Sequence, residues 1–480
     1  MSTSVLETTL YPATSNGADL HTDATFDVIN PATGKVFAQA PAVTPKQLDS
    51  VFASADRAFH EWKRNEKARQ TALFAAADAI DAASTELSAI LTAEQGKPLA
   101  ESQMEVAICS LWLRYYAALE MPRELVQDDD KGYAEVFRVP MGVVAAVTPW
   151  NFPLILAMTK IAPALRAGNT IVVKPSPYTP LSSLLLGKIL RGVFPDGVLN
   201  IVSGPDPLGN SFTTHPVPRK ISFTGSTATG RKVMSSAVND LKRFTLELGG
   251  NDPAILLEDV NVAEVAETLF WGAFANCGQV CMAVKRVYAH EKIHAQLVEA
   301  LAAIAKSVKV GDGAEEGVKI GPLNNKMQLD RVDELVNDAL KLGARAVTGG
   351  KKLARPGYFF EPTIIDNISD GVRLVDEEQF GPALPVLSFK DEADVIARAN
   401  RGEYGLTASV WSSDVERAIR VATELDCGQT SINRHMGGSR PDLPFSGHKW
   451  SGIGVECGPW GLESFTEFQV ITSPARKPKS

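Results

Sequence analysis

Two rhythms of apolar residues divide the chain. From Lys46 to Glu94, and again from Met104 to Leu119, small and apolar residues return every three or four positions, the spacing of a helix face. From Gly142 the pattern changes to short unbroken apolar runs. Gly142 to Val147, Thr170 to Val173, Val198 to Val202 and Lys220 to Phe223 are suited to buried strands. Helical stretches separate them, one reaching Arg166, one from Leu181 to Phe194 and one from Ala228 to Val238. Strands that alternate with helices predict a parallel sheet covered on both faces, with ligands at the carboxyl ends of its strands. A second alternation begins near Pro253, with helices around Val262 to Phe274, Ile293 to Val308 and Lys326 to Leu342. Polar and apolar residues alternate singly in Gly132 to Pro140 and Ser464 to Thr472, which predicts two strands of a projecting arm.

Residues 1–24 read as a loose lead-in, and order is expected from Phe26, with a turn at Asn30-Pro31-Ala32-Thr33-Gly34. The organisation expected is a dinucleotide-binding unit from 25–119 and 142–249, and a second unit over 250–447. An arm is built from 120–141 and 464–480, and a return segment occupies 448–463.

Composition narrows the partners. The net charge is −8, which argues against a nucleic-acid partner. The apolar run from Gly142 to Met158 is interrupted by Pro149, Asn151 and Pro153, and does not read as a membrane span. Five cysteines with no framework spacing fit a reducing, cytoplasmic setting. No ligand spacing for a metal is visible.

Four local signals carry chemistry. Gly278-Gln279-Val280-Cys281 offers a thiol nucleophile. Glu247-Leu248-Gly249-Gly250 ends an apolar strand, and its two glycines point to a close backbone approach. Thr148-Pro149-Trp150-Asn151-Phe152-Pro153 follows another strand and can aim an amide into a cleft as an oxyanion donor. Phe223-Thr224-Gly225-Ser226 leads from a strand into a helix whose free amides suit phosphate. The usual Gly-x-Gly-x-x-Gly is absent, and Gly452-Ile453-Gly454 lacks the frame for it.

Taken together and in this order, the four signals resemble the aldehyde dehydrogenase family over about Asp27 to Thr472. Gly96-Lys97-Pro98, Lys174-Pro175-Ser176, Glu377 to Pro382 and Pro444-Phe445-Ser446-Gly447 strengthen the resemblance. It implies an α/β fold with a Rossmann-like cofactor domain, a second α/β catalytic domain and a β oligomerisation arm, assembled as a dimer or tetramer. It implies oxidation of an aldehyde to an acid. Cys281 would be the nucleophile, Glu247 the water-activating base, Asn151 an oxyanion donor, and Lys160 and Glu456 a relay for the proton. Trp150, Lys174, Ser176, Pro177, Gly225, Ser226, Glu378 and Phe380 would meet NAD or NADP. Pro177 stands where many relatives carry a Glu that binds the adenosine ribose, so weak discrimination between the two cofactors is expected. Val455 stands where an Arg is common, which weakens the expectation for subunit contacts.

By position, Ile108, Trp112, Phe152, Leu156, Thr159, Val280, Met282 and Phe445 are expected to line the substrate pocket. They suit a medium-sized hydrophobic or aromatic aldehyde. Arg440, in the polar loop 433–440, would instead hold a carboxylate and make the substrate a semialdehyde. Cys277 would sit one turn before Cys281 if that segment is helical, as a packing residue or an oxidative partner. Two rival readings are an acylating, coenzyme A-dependent enzyme and a non-catalytic descendant on the same fold. Glu247 weighs against the first, because a thiol acceptor needs no water-activating base. The joint presence of Cys281, Glu247 and Asn151 weighs against the second.

Overall fold

The computed structural model describes residues 11–436 and 440–475. The apolar runs become the strands of two mainly parallel sheets. In the first, Leu199–Ile201, Thr170–Lys174, Val143–Val147, Lys220–Thr224 and Arg243–Glu247 lie side by side and parallel. Their residues are nearly all buried, as expected for strands covered on both faces. The chain passes from Val143–Val147 to one side for two strands, then to the other side for two more. That reversal opens a crevice at the carboxyl ends of Val143–Val147 and Lys220–Thr224.

The edges of this sheet hold two departures from expectation. Ala13–Ser15 and Ala18–Leu20 form a hairpin that joins Leu199–Ile201 antiparallel. The supposed lead-in is therefore structured from here on. Tyr11 and Ala13 are buried, too few apolar residues to show as a pattern. At the opposite edge Gly452–Ile453 pairs antiparallel with Arg243–Glu247, and Glu247 faces Gly452. The Gly-x-Gly there is thus a strand, not a phosphate loop.

The long helical stretch 46–94 breaks into Pro45–Trp62, Glu66–Ala82 and Ser84–Gln95. Thr44 and Gln47 form a capping box at the start of the first helix and Asn65 caps the second, so the first break has a polar cause; at the second, Ala83 makes no side-chain cap. Leu99–Ala118 follows, with one face buried from Ser102 to Ala117.

The second sheet runs Arg345–Thr348, Thr363–Asp366, Ala383–Phe389, Val284–His290, Asp252–Leu256, Thr407–Trp411 and Gln429–Ile432, all parallel but for the first pair. A third unit is the expected arm. Tyr133–Pro140 pairs along its whole length with Thr466–Ser473 and, on its other side, with Arg123–Asp128. Leu125, Val126, Phe468, Val470 and Ile471 are exposed on it. Among the described residues no helix is long and apolar enough to cross a membrane.

Candidate active site

The crevice at the reversal is a cleft of about 620 Å³. Trp150 and Asn151 enter it from the turn after Val143–Val147, and Lys174, Ser176 and Pro177 from the end of Thr170–Lys174. Gly225 and Ser226 follow Lys220–Thr224, while Cys281, Glu378 and Phe380 arrive from the second unit. The loops of the first sheet meet here because each leaves a strand at its carboxyl end, and the second unit adds Cys281 and Phe380 from segments that lead into Val284–His290 and Ala383–Phe389.

The loop before Cys281 is not helical. Asn276, Cys277 and Gly278 all have positive φ, at 48°, 58° and 72°. A Cβ at Gly278 would meet Gly381 O at 2.4 Å, so the third position tolerates only glycine. This left-handed run breaks the helix that a one-turn separation of the two cysteines requires. Cys277 is buried, and burial pushes its thiol up. Asn276 N–H donates to Glu101 at 3.0 Å, which fastens the strained loop from below.

Cys281 is half-buried and lines the cleft. Burial pushes its thiol up to about 12; Lys285 draws it down, and Glu378, Asp252 and Glu247 push it further up. Asn151 is tied to the same loop. Its Nδ2 donates to Gln279 O at 2.9 Å, and its own carbonyl accepts from Asn276 Nδ2 at 3.0 Å and from Lys97 Nζ at 2.8 Å. Lys97 is buried against Glu105 at 2.6 Å, and Glu105 also accepts the amides of Leu154 and Ile155 at the start of Pro153–Ala167. One amide hydrogen of Asn151 remains for another acceptor.

Glu247 is buried, and neither carboxylate oxygen has a hydrogen-bond partner among the described residues. Burial and the charge of Glu456 raise its carboxyl well above the usual range, against the pull of Lys160. Lys160 Nζ lies 2.6 Å from Glu456 and 2.8 Å from Thr224 Oγ1. The two glycines after Glu247 are explained by space. A Cβ at Gly250 would meet Cys281 O at 2.5 Å, and one at Gly249 would meet Glu378 Oε2 at 2.4 Å. The strand end bearing Glu247 thereby packs directly on the loop bearing Cys281.

The far end of the cleft fits a dinucleotide. Lys174 Nζ is buried at its wall, with a single 3.4 Å bond to Pro175 O among the described residues. Such an amine calls for further acceptors, which ribose hydroxyls or a phosphate supply. Burial draws it down to about 8, opposed by Asp206. Ser226 caps Thr227–Ala237, whose first-turn amides lie outside the helix ladder and open toward the same space. Trp150 and Phe380 meet edge to face at 5.4 Å on the other wall.

The substrate candidates divide. Leu156 lines the cleft. Ile108, Phe152, Met282 and Phe445 are half-buried, and Trp112, Thr159 and Val280 are buried. Arg440 does not reach the site: its exposed guanidinium pairs with Asp442 two residues away, at 2.7 Å. A partner that close in its own loop holds it outside. Residues 437–439 of that loop lie outside the described residues.

The family model of the aldehyde dehydrogenase family matches residues 19–471. The chain belongs to the aldehyde dehydrogenase family. It is 37% identical to the NADP-dependent succinate-semialdehyde dehydrogenase of Escherichia coli K12, covering 94% of this chain and 95% of that one. It is 39% identical to phenylacetaldehyde dehydrogenase of Pseudomonas fluorescens, over 92% and 91% of the two chains. The solved NAD+ complex of an aldehyde dehydrogenase from Bacillus cereus superposes with a TM-score of 0.96, at 34% identity and 98% coverage of each chain. Family membership makes the chain an NAD(P)-dependent oxidoreductase.

Sequence reasoning missed several residues that hold this aldehyde dehydrogenase site. Glu105, Glu101 and Asn276 act through backbone amides and carbonyls, which no motif announces. Lys285 sits in a wholly buried strand, beside Arg286, with no motif around it. Asp206 lies in the cleft wall and carries no local signature.

Proposed function

We propose that this enzyme oxidises a medium-sized hydrophobic or aromatic aldehyde to its acid, and that hydrolysis, not thiol transfer, ends the cycle. The observation that carries this reading is the fastening of Asn151 to the loop of Cys281, with Glu247 packed behind. The Cys281 thiolate attacks the aldehyde carbon, and the oxygen gathers negative charge. Asn151 Nδ2 and the Cys281 N–H stabilise that charge, a role whose loss typically costs about 10²–10³ in rate. A dinucleotide held by Lys174, Ser176 and Ser226 would supply the hydride acceptor beside the Cys281 thiohemiacetal. Glu247 then activates water against the Cys281 thioester, and Lys160 and Glu456 share its proton.

The substrate reading follows from Arg440. Turned to Asp442, it supplies no carboxylate anchor, which leaves apolar Leu156 in the cleft with Cys281. A semialdehyde is the second reading, favoured by the semialdehyde dehydrogenases among the relatives. Both cofactors are accepted with weak discrimination, because Lys174 attracts a 2′-phosphate and Asp206 repels it. The first sheet and its helices serve the cofactor, and 250–447 carries the nucleophile. The arm joins subunits in a dimer or tetramer. The five free cysteines suit a reducing, cytoplasmic setting.

A panel of aliphatic, aromatic and carboxylated aldehydes, assayed with and without coenzyme A, tests the proposal. Aromatic aldehydes are expected to give the highest kcat/KM, with no dependence on coenzyme A. A product that forms only as a thioester overturns it.

A further inference from the structure

Lys285 lies four residues after Cys281, and the proposed chemistry has not used it. It lies in Val284–His290, where every residue is buried, and its side chain is 1% exposed. A buried ammonium needs acceptors, and all those within hydrogen-bond reach belong to the turn that carries Cys281. Nζ donates to Val280 O at 2.6 Å and to Cys281 O at 3.1 Å, with Ala283 O at 3.5 Å. Glu378 Oε1 stands 3.8 Å away and is held in turn by Gly250 N–H at 3.0 Å. The ammonium therefore occupies the centre of a small ring formed by the turn, Glu378 and the glycines after Glu247.

We propose that Lys285 is a positioning residue for the reaction: it gathers the carbonyls of Val280 and Cys281 so that the thiol and the Cys281 N–H face the cleft together, and its charge holds the thiol ionisable among carboxylates. The proposal rests on the reading of Cys281 as the nucleophile. Two features of the surroundings make the charge matter. Glu247 and Asp252 flank the Gly249-Gly250 turn and Glu378 comes from a separate segment, and each pushes the Cys281 thiol up. Lys285 is the opposing cation. His435 donates from Nε2 to Met282 O at 2.8 Å and is drawn down to about 4 by burial, so it brings no positive charge near neutrality. Attack requires thiolate, and the thiolate fraction at a given pH falls tenfold for each unit the thiol rises.

The test reads the thiol itself. Alkylation of Cys281 by iodoacetamide, with the modified residue identified by mass spectrometry, is followed against pH in the full-length enzyme. Lys285→Met is expected to move the midpoint of the alkylation profile up by about one unit or more, and to slow alkylation near neutral pH by about tenfold, while the plateau rate at high pH stays close to wild type. Lys285→Gln keeps a donor for the carbonyls and loses the charge. It is expected to show the same shift with a smaller loss of thermal stability. Where neither variant folds, Asp252→Asn removes an opposing charge with Lys285 in place, and the midpoint is expected to fall. A purely structural lysine would lower the melting temperature and leave the midpoint unmoved; that result, or an unmoved midpoint in Asp252→Asn, overturns the proposal. Failure of the nucleophile reading is a different result, aldehyde oxidation that survives Cys281→Ser.

Discussion

Lys160 and Glu456 meet 2.6 Å apart, both buried, across 296 residues of sequence. The pair sets the charge around Glu247, whose own oxygens have no hydrogen-bond partner among the described residues. A base must be ionised to act, and Glu247 is held protonated well above the usual carboxylate range. Thioester hydrolysis is therefore expected to accelerate as pH rises through that range. Glu456→Gln removes a like charge and leaves the cation of Lys160, so the rising limb of kcat should move to lower pH. Lys160→Met does the reverse. Shifts of about one unit are expected, read from kcat between about pH 5 and about pH 10. Identical limbs in both variants would show that the pair is structural only.

The two cysteines of the loop are expected to separate cleanly. Cys281→Ser should bind cofactor and lose nearly all oxidation, because a hydroxyl without a dedicated base is a poor nucleophile. Cys277 is buried in a left-handed turn, and Cys277→Ser should keep most activity. In Glu247→Gln, rapid mixing should show one burst of reduced cofactor and then a slow steady state, as the thioester accumulates. A folded, cofactor-binding Glu247→Gln enzyme with no burst would contradict a purely hydrolytic role.

Much of this was legible beforehand because burial on both faces leaves continuous apolar runs, and Val143–Val147, Thr170–Lys174 and Lys220–Thr224 are of that kind. Gly249 and Gly250 were legible as a close approach, though not what approached them. Ala13–Ser15 was not legible, since a three-residue strand has no period to detect. Nor was the fate of Arg440, which depends on whether Asp442 or the cleft claims it. The left-handed run at Asn276 and Cys277 carries only one glycine, at its end, so nothing in the sequence excluded a helix there. Lys97, Glu105 and Glu101 act on backbone groups from distant segments, and such contacts leave no trace in spacing.

The arm predicts assembly. Arg123–Asp128 is an edge strand with Leu125 and Val126 exposed, and Phe468, Val470 and Ile471 are exposed on the strand at the other edge. Unpaired edges with apolar side chains pair with another chain unless blunted. Light scattering at micromolar concentration is expected to give a dimer or tetramer. Phe468→Glu together with Val470→Lys should shift it toward monomer. A wild type that is monomeric throughout would remove the arm's proposed role.

Cofactor choice depends on what stands around the buried ammonium of Lys174. Pro177 brings no acceptor and no charge to the side chain, whereas a carboxylate there would accept ribose hydroxyls and repel a 2′-phosphate. Lys174 and Ser176 remain, and a cation with a hydroxyl can serve either group. Asp206 supplies the only carboxylate among the described residues that line this end of the cleft. Its attraction to Lys174 and its repulsion of phosphate act against each other. Both cofactors should therefore turn over. Pro177→Glu is expected to move the ratio of kcat/KM toward NAD by about tenfold or more, or roughly 1.4 kcal/mol. Asp206→Asn is expected to move it toward NADP, and to do so more at low ionic strength, since exposed charges are screened by salt. A wild type already strict for NAD whose ratio Pro177→Glu leaves unmoved, with Asp206→Asn relaxing it, would place the choice at Asp206 alone. A ratio that neither substitution moves would place it outside this pair of positions.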